Sequence, residues 1–153
     1  MFTILSISDS DKHRKSVVEE YTKRLGKSVK IIDIKPSKNG NNQQIITKDT
    51  ETLLAHLQKF SNTTKILLSK EGKVLDTMQF ATVCRNKNAE SRFSGVVFII
   101  GGPYGLDEQL LAKHINSKIS FGAITLPHGL AKVTLLEQLY RIGTIEQGKS
   151  YHY

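Results

Sequence analysis

Three short stretches of this chain carry residue types able to hold a small molecule. They are LLSKEGK (Leu67–Lys73), IIGGPYGL (Ile99–Leu106) and SFGAITLPHG (Ser120–Gly129). Glycines at 101, 102 and 105 would let main-chain amides and carbonyls approach a ligand with no Cβ in the way. Pro127 and Gly129 stop one element and start another, which leaves the backbone of Phe121 to Leu126 available for hydrogen bonding. Other chemistries are poorly served. No lysine follows the glycine turn at Walker spacing, which disfavours nucleotide triphosphate hydrolysis. The first apolar segment, FTILSIS, runs into DSDKHRK without a glycine, so the dinucleotide fingerprint is missing from its usual place. Cys84 is the single cysteine, so the chain has no internal disulfide and no thiolate cluster for zinc. The histidines (His13, His56, His114, His128 and His152) include no pair at metal-ligand spacing, and no metal is expected.

Ligands of open α/β sheets bind beyond the carboxyl ends of the strands, so each of these stretches should follow one. Apolar segments bounded by polar or glycine punctuation predict strands at Phe2–Ser8, Val29–Lys35, Lys65–Ser69, Gly95–Ile100 and Ile119–Leu126. Helical spacing joins Val17, Tyr21 and Leu25, with Asp11 placed to cap. Thr47 is the expected cap of a helix presenting Leu53, Leu54 and Leu57. Asp76-Thr77-Met78-Gln79 reads as a capping box ahead of Phe80 and Val83, and Asp107 precedes Leu110 and Leu111. The polar run Pro36–Lys48 reads as an exposed loop. Alternation of strand and helix predicts an α/β domain with a largely parallel sheet covered by helices. With 153 residues, a single domain over 1–153 is expected.

The last helix carries Leu130, Val133, Leu136, Leu139 and Tyr140 on one stripe, widened by Leu135 and Ile142. So broad an apolar girth calls for more than one surface to bury against, and a second subunit would supply it. The formal charge is +8, from 22 Lys+Arg against 14 Asp+Glu, which favours polyanionic partners. No apolar run reaches membrane length. MFTILSIS has no basic stretch ahead of it, so a secretory signal is not expected and a cytoplasmic location is.

Taken together, EYTKRL (Glu20–Leu25), LLSKEGK, FIIGGPYGL, ITLPHGLAKVTLLEQLYR (Ile124–Arg141) and the terminal Tyr151-His152 resemble the RlmH family. These are SPOUT-class methyltransferases of 23S rRNA in the large ribosomal subunit. The resemblance runs through nearly the whole chain, in order and at compatible spacing. It implies an α/β knot, in which the C-terminal segment forms a trefoil, an exception to the usual topology rules. It also implies a homodimer whose site is completed by the partner.

Carried over by position, the resemblance implies that S-adenosyl-L-methionine contacts Leu68, Gly101, Phe121, Gly122, Ala123, Ile124, Thr125 and Leu126. The methyl would pass to N3 of a pseudouridine, with His152 assisting as base or orienting donor and Tyr151 stacking on or bonding to the nucleobase. Lys132, Arg141 and His128 would hold phosphates. Some positions depart from the family pattern: Ser69 follows the third strand, Lys132 stands where arginine is common, and the chain ends Lys149-Ser150-Tyr151-His152-Tyr153 without the final cation. The alternative reading is a non-catalytic RNA- or ribosome-binding protein on the same scaffold.

Overall fold

The computed structural model describes residues 1–9, 11–89 and 95–148, side chains at 86–89 excepted. Five strands form one parallel sheet: β1 (Phe2–Ile7), β2 (Val29–Ile34), β3 (Thr64–Val74), β4 (Val96–Ile100) and β5 (Ser117–Ser120). Their order is β2-β1-β4-β3-β5, and every pairing is parallel, as the alternation of elements predicts. Helices α1 (Lys15–Leu25), α2 (Asn42–Leu57), α3 (Thr77–Ala89), α4 (Glu108–Leu111) and α5 (His128–Glu146) join them.

Strand β4 explains why the sheet needs cover on both sides. Its alternate residues Val96, Phe98 and Ile100 join one core with Phe80 of α3 and with Leu135, Leu136 and Leu139 of α5. Val97 and Ile99 join the other, with Leu53 and Leu57 of α2 and Leu111 of α4. A strand buried on both faces reads as a continuous apolar run, which is how VVFII appears in the sequence.

Three expected boundaries move. The helix foreseen after Thr47 starts earlier, because Asn41 accepts from the Gln44 amide at 2.9 Å and the Gln44 side chain accepts from the Asn41 amide at 2.9 Å. This capping box turns much of the polar run Pro36–Lys48 into helix. Helix α1 starts at Lys15 with no side-chain cap; Asp11 instead accepts from the Arg14 amide at 3.3 Å in the preceding turn. The fifth strand covers only Ser117–Ser120, and residues 121–126 leave the sheet. Gly122 sits at φ +129°, and the Ser120 hydroxyl donates to the Gly122 carbonyl at 2.7 Å while accepting from its amide at 3.2 Å. That local closure diverts a sequence apolar enough to be read as strand. The expected caps at Asp76 and Asp107 do form: Asp76 and Gln79 bond reciprocally, and Asp107 accepts from the amides of Gln109 and Leu110.

Strand β3 contains an excursion. Leu68 pairs with Ile119, and so does Lys73, so residues 69–72 bulge out of the ladder between two contacts to the same β5 residue. Gly72 lies where a Cβ would overlap the main chain of Ile119, so only glycine lets the two strands close behind the bulge.

Candidate functional site

Beyond the carboxyl ends of β3, β4 and β5 the three loops enclose a cavity of about 670 Å³. A void of that size suits a cofactor or small ligand, for which a few hundred to about 1,000 Å³ is usual. Leu68 and Gly101 line it from the strand ends; Phe121, Gly122, Ile124, Thr125 and Leu126 line it from the loop between β5 and α5. Of the residues foreseen around a cofactor, Ala123 alone is off the wall, exposed on the same loop. His128 and Ala131, from the first turn of α5, complete the lining. Between Ala123 and Leu126 no main-chain amide or carbonyl finds a main-chain partner among the described residues, so these groups remain available to a ligand.

The glycines have separable reasons. A Cβ on Gly102 would come within 2.8 Å of Ile7 Cγ2, so this glycine lets the turn rest on the end of β1. Gly105 takes φ +83°, a conformation that side chains disfavour. At Gly101 a Cβ would stand 3.3 Å from Leu106 Cγ, tight packing that the leucine side chain could relieve.

A polar cluster missed at the sequence level sits on the wall. Glu108, the first residue of α4, accepts from Ser69 Oγ at 2.7 Å and pairs with Lys118 Nζ. Burial disfavours the Glu108 carboxylate, but hydrogen bonds from Lys118 and Ser69, with the lysine charge, outweigh it and hold the group below the usual carboxylate range. The cap signal at Asp107 located this helix, yet nothing in the spacing pointed to the next residue as the hub of a charge cluster.

Two cations expected at RNA phosphates are engaged within the chain. Lys132 is 7% exposed, and its ammonium lies 2.6 Å from Asp33 Oδ1 and 3.0 Å from Ser8 Oγ. It ties α5 to the ends of β1 and β2. Beside it, Gly129 packs closely on the Asp11 carboxylate, itself paired with Arg14, and a Cβ there would have to displace that side chain. Arg141 bonds Glu137 through Nε at 2.9 Å and Nη2 at 2.6 Å, one helical turn away on α5. Tyr151 and His152 lie outside the described residues. Cys84 is 1% exposed, and burial, seconded by the Glu146 charge, pushes its thiol up to about 12, so it is no nucleophile. No group of three His, Cys, Asp or Glu gathers for a metal ion among the described residues. None of their helices is long and apolar enough to cross a membrane.

A family model described as "Predicted SPOUT methyltransferase" matches residues 1–152. The chain belongs to the SPOUT methyltransferase family. Full-length relatives narrow the assignment. Proteins named ribosomal RNA large subunit methyltransferase H are 35% identical in Streptococcus gordonii, over 93% of this chain and 92% of theirs, and 36% identical in Clostridium botulinum (strain Langeland), over 98% of each. Within the SPOUT proteins the chain is thus a member of the RlmH family. A crystal structure from Bacillus anthracis, of a protein classed with the RNA methyltransferases, superposes at TM-score 0.58 over the full length of both chains. At 10% identity that likeness speaks to the fold, and it is the SPOUT fold expected from the sequence.

Proposed function

We propose that this SPOUT protein methylates N3 of a pseudouridine in large-subunit ribosomal RNA, using S-adenosyl-L-methionine. One observation carries the proposal: the ends of three adjacent strands, 68–70, 101–106 and 120–128, meet around a single cavity of cofactor size. The fit extends to chemistry. Leu68, Phe121 and Leu126 offer apolar packing, and the main-chain groups at 123–126, without main-chain partners among the described residues, suit the polar edge of an adenine. Glu108 and Lys118 place one charge of each sign beside the wall, which suits the ammonium and carboxylate of an amino acid. S-adenosyl-L-methionine, when bound, supplies an electrophilic methyl carbon.

The protein's share is positioning and proton handling. The walls hold the donor in one orientation, so an attacking nitrogen need only arrive in line. A neutral imide nitrogen is a poor nucleophile, so its proton must leave. In this proposal His152 accepts that proton or orients the base, Tyr151 contacts the nucleobase, and His128 lies at the cavity edge to meet RNA. Because Lys132 and Arg141 already face carboxylates, phosphate contact falls to Lys12, Lys35 and Lys38. These lysines follow β1 and β2 at the same edge of the sheet, are exposed, and have no carboxylate partner among the described residues. The cytoplasm, where ribosomes are modified, is the proposed location.

A homodimer and the C-terminal trefoil belong to the same proposal. Helix α1 has no buried residue although Val17, Val18, Tyr21 and Leu25 lie along it, and Val17 and Leu130 are 41% and 42% exposed. A second subunit covering α1 and α5 would remove that apolar surface from water. Helix α5 leaves the edge strand β5 yet packs on α1, β1 and β4 across the sheet, the kind of return path a trefoil uses. Calorimetric titration with S-adenosyl-L-methionine and its demethylated product tests the core of the reading. Absence of binding at millimolar ligand would end it. Replacing His152 by alanine and assaying methylation of ribosomes tests the proton step; unchanged turnover would remove His152 from it.

A further inference from the structure

The turn Gly102–Gly105 displays an aromatic ring that no ring or guanidinium covers among the described residues. Tyr104 lines the cavity yet is 51% exposed. Aromatic contacts among the described residues join Phe2, Phe80, Phe98, Tyr21 and Tyr140, and the one guanidinium stacked on rings covers the last two. Among the described residues Tyr104 has neither kind of partner. Leaving a ring in water forgoes the burial that makes aromatics useful.

Local geometry constrains the display. The Gly105 amide donates to the Gly102 carbonyl at 3.0 Å, closing a tight turn with Pro103 and Tyr104 at its tip. The proline fixes its own φ, Gly105 takes φ +83° to let the chain return, and Gly102 rests on Ile7 too closely to admit a Cβ. Ile124, on the loop between β5 and α5, lines the same cavity and is 80% exposed. Two large exposed side chains thus line the cavity, and one of them is a flat ring on a tightly constrained turn.

We infer that Tyr104 is a stacking platform for an unstacked nucleobase of the substrate RNA. The inference rests on the methyltransferase reading of the cavity and adds a residue to it. An enzyme that alters a ring nitrogen engaged in pairing must take the base out of its stack, and an aromatic face replaces the lost neighbour. A half-exposed ring at the mouth suits a group arriving from solvent. The adenine of a cofactor would be enclosed by the loop 121–126 instead. The chain's net charge of +8 favours a polyanion bearing such bases.

The chain has no tryptophan, so Tyr104→Trp installs a single indole at the entrance. Short oligouridine at low salt is expected to quench that indole, while S-adenosylhomocysteine alone leaves it unchanged. With undermethylated bacterial ribosomes as substrate, Tyr104→Phe should keep kcat/KM within about twofold, since the ring remains. Tyr104→Ala should raise the ribosome KM roughly 10- to 100-fold, the usual loss for one stacked base, with cofactor Kd unchanged. Quenching by S-adenosylhomocysteine together with weaker cofactor binding in Tyr104→Ala would overturn the inference and make the residue a cofactor lid. Wild-type kinetics in Tyr104→Ala would also overturn it. Failure of the wild-type protein itself to bind the cofactor or methylate ribosomes would instead sink the underlying reading.

Discussion

The Lys132 ammonium, on the second turn of α5, lies 2.6 Å from Asp33 at the end of β2, joining residues 99 positions apart. The lysine side chain is 8% exposed and the aspartate 48%, so the pair is buried on one side only. Ser8, at the end of β1, bonds both partners, at 3.0 Å and 3.1 Å. The clasp fixes where α5 begins, and the cavity loop 121–127 is strung between that point and β5. Lys132→Met strands Asp33 beside a buried hydroxyl, but water reaches the carboxylate. The expected cost is therefore about 1–2 kcal/mol rather than the 3–5 of a fully buried pair. A chain of this length should lose roughly 2–8 °C in Tm. Cofactor affinity should fall with it, and Lys132→Arg should restore both. Calorimetry showing lower Tm with unaltered cofactor Kd would confine the clasp to stability.

Gly72 carries a second prediction. Its lack of a side chain lets β3 close on Ile119 behind the bulge, and Ile119 immediately precedes the Ser120 closure that launches the cavity loop. Gly72→Ala must push β3 and β5 apart, an overpacking strain of about 1–3 kcal/mol. Denaturant unfolding should show that loss with unchanged m-value. Cofactor binding should weaken as β5 shifts. Wild-type stability would mean that the strands separate there at no cost.

These residues show where sequence reading succeeds and where it stops. The parallel sheet was legible because β4 is apolar on both faces and its neighbours are bounded by punctuation. The cavity walls were legible because glycine and proline mark places where backbone must turn. The end of β5 was not, since Phe121, Ile124 and Leu126 look like strand until Ser120 and Gly122 are seen to close on each other. The start of α2 was hidden for the opposite reason, because Asn41 and Gln44 form their capping box inside a run polar enough to read as loop. Lys132 and Arg141 were recognisable as cations, but a cation's occupation depends on carboxylates that folding brings to it. Asp33 comes from another strand, and Glu137 is only a turn away; neither relationship is stated by charge alone. The tail at 149–153, with Tyr151 and His152, is outside the described residues, so its role rests on the resemblance.

Glu108 links the cavity wall to pH. Its carboxyl is held below the ordinary range in the folded chain, because the bonds from Lys118 and Ser69 outweigh the burial that opposes ionisation. A depressed folded value means that the unfolded chain takes up the proton first as pH falls. The stabilisation is therefore fully present above an ordinary glutamate value of about 4.3 and is lost as pH drops through the lower folded value. With about a third of each side chain exposed, solvent screens the pair, and it is worth no more than roughly 1 kcal/mol. Glu108→Gln should therefore flatten the stability curve between about pH 5 and 3 while leaving stability at pH 7 within about 1 kcal/mol. It should also weaken the cofactor severalfold at neutral pH by unpairing Lys118. Identical acid unfolding profiles for wild type and variant would remove Glu108 from this role.

The last prediction concerns phosphate contact. Because Lys132 faces Asp33 and Arg141 faces Glu137, neither should dominate RNA affinity through direct charge. Lys12, Lys35 and Lys38 are exposed where β1 and β2 end, and strand spacing of about 4.8 Å sets β2 roughly 10 Å across the sheet from β4. That separation is on the scale of neighbouring phosphates flanking one extruded base. Each phosphate contact releases counterions, so log affinity falls with log salt by about 0.7–0.9 per contact. Changing all three lysines to glutamine should reduce the salt slope of RNA binding by about 2–3 and leave cofactor affinity unchanged. Lys23, Lys27 and Lys59 lie at the opposite edge of the sheet and are also exposed, so the same change there controls for net charge. Equal loss of slope in both triple variants would show that RNA senses the protein's total charge rather than this edge.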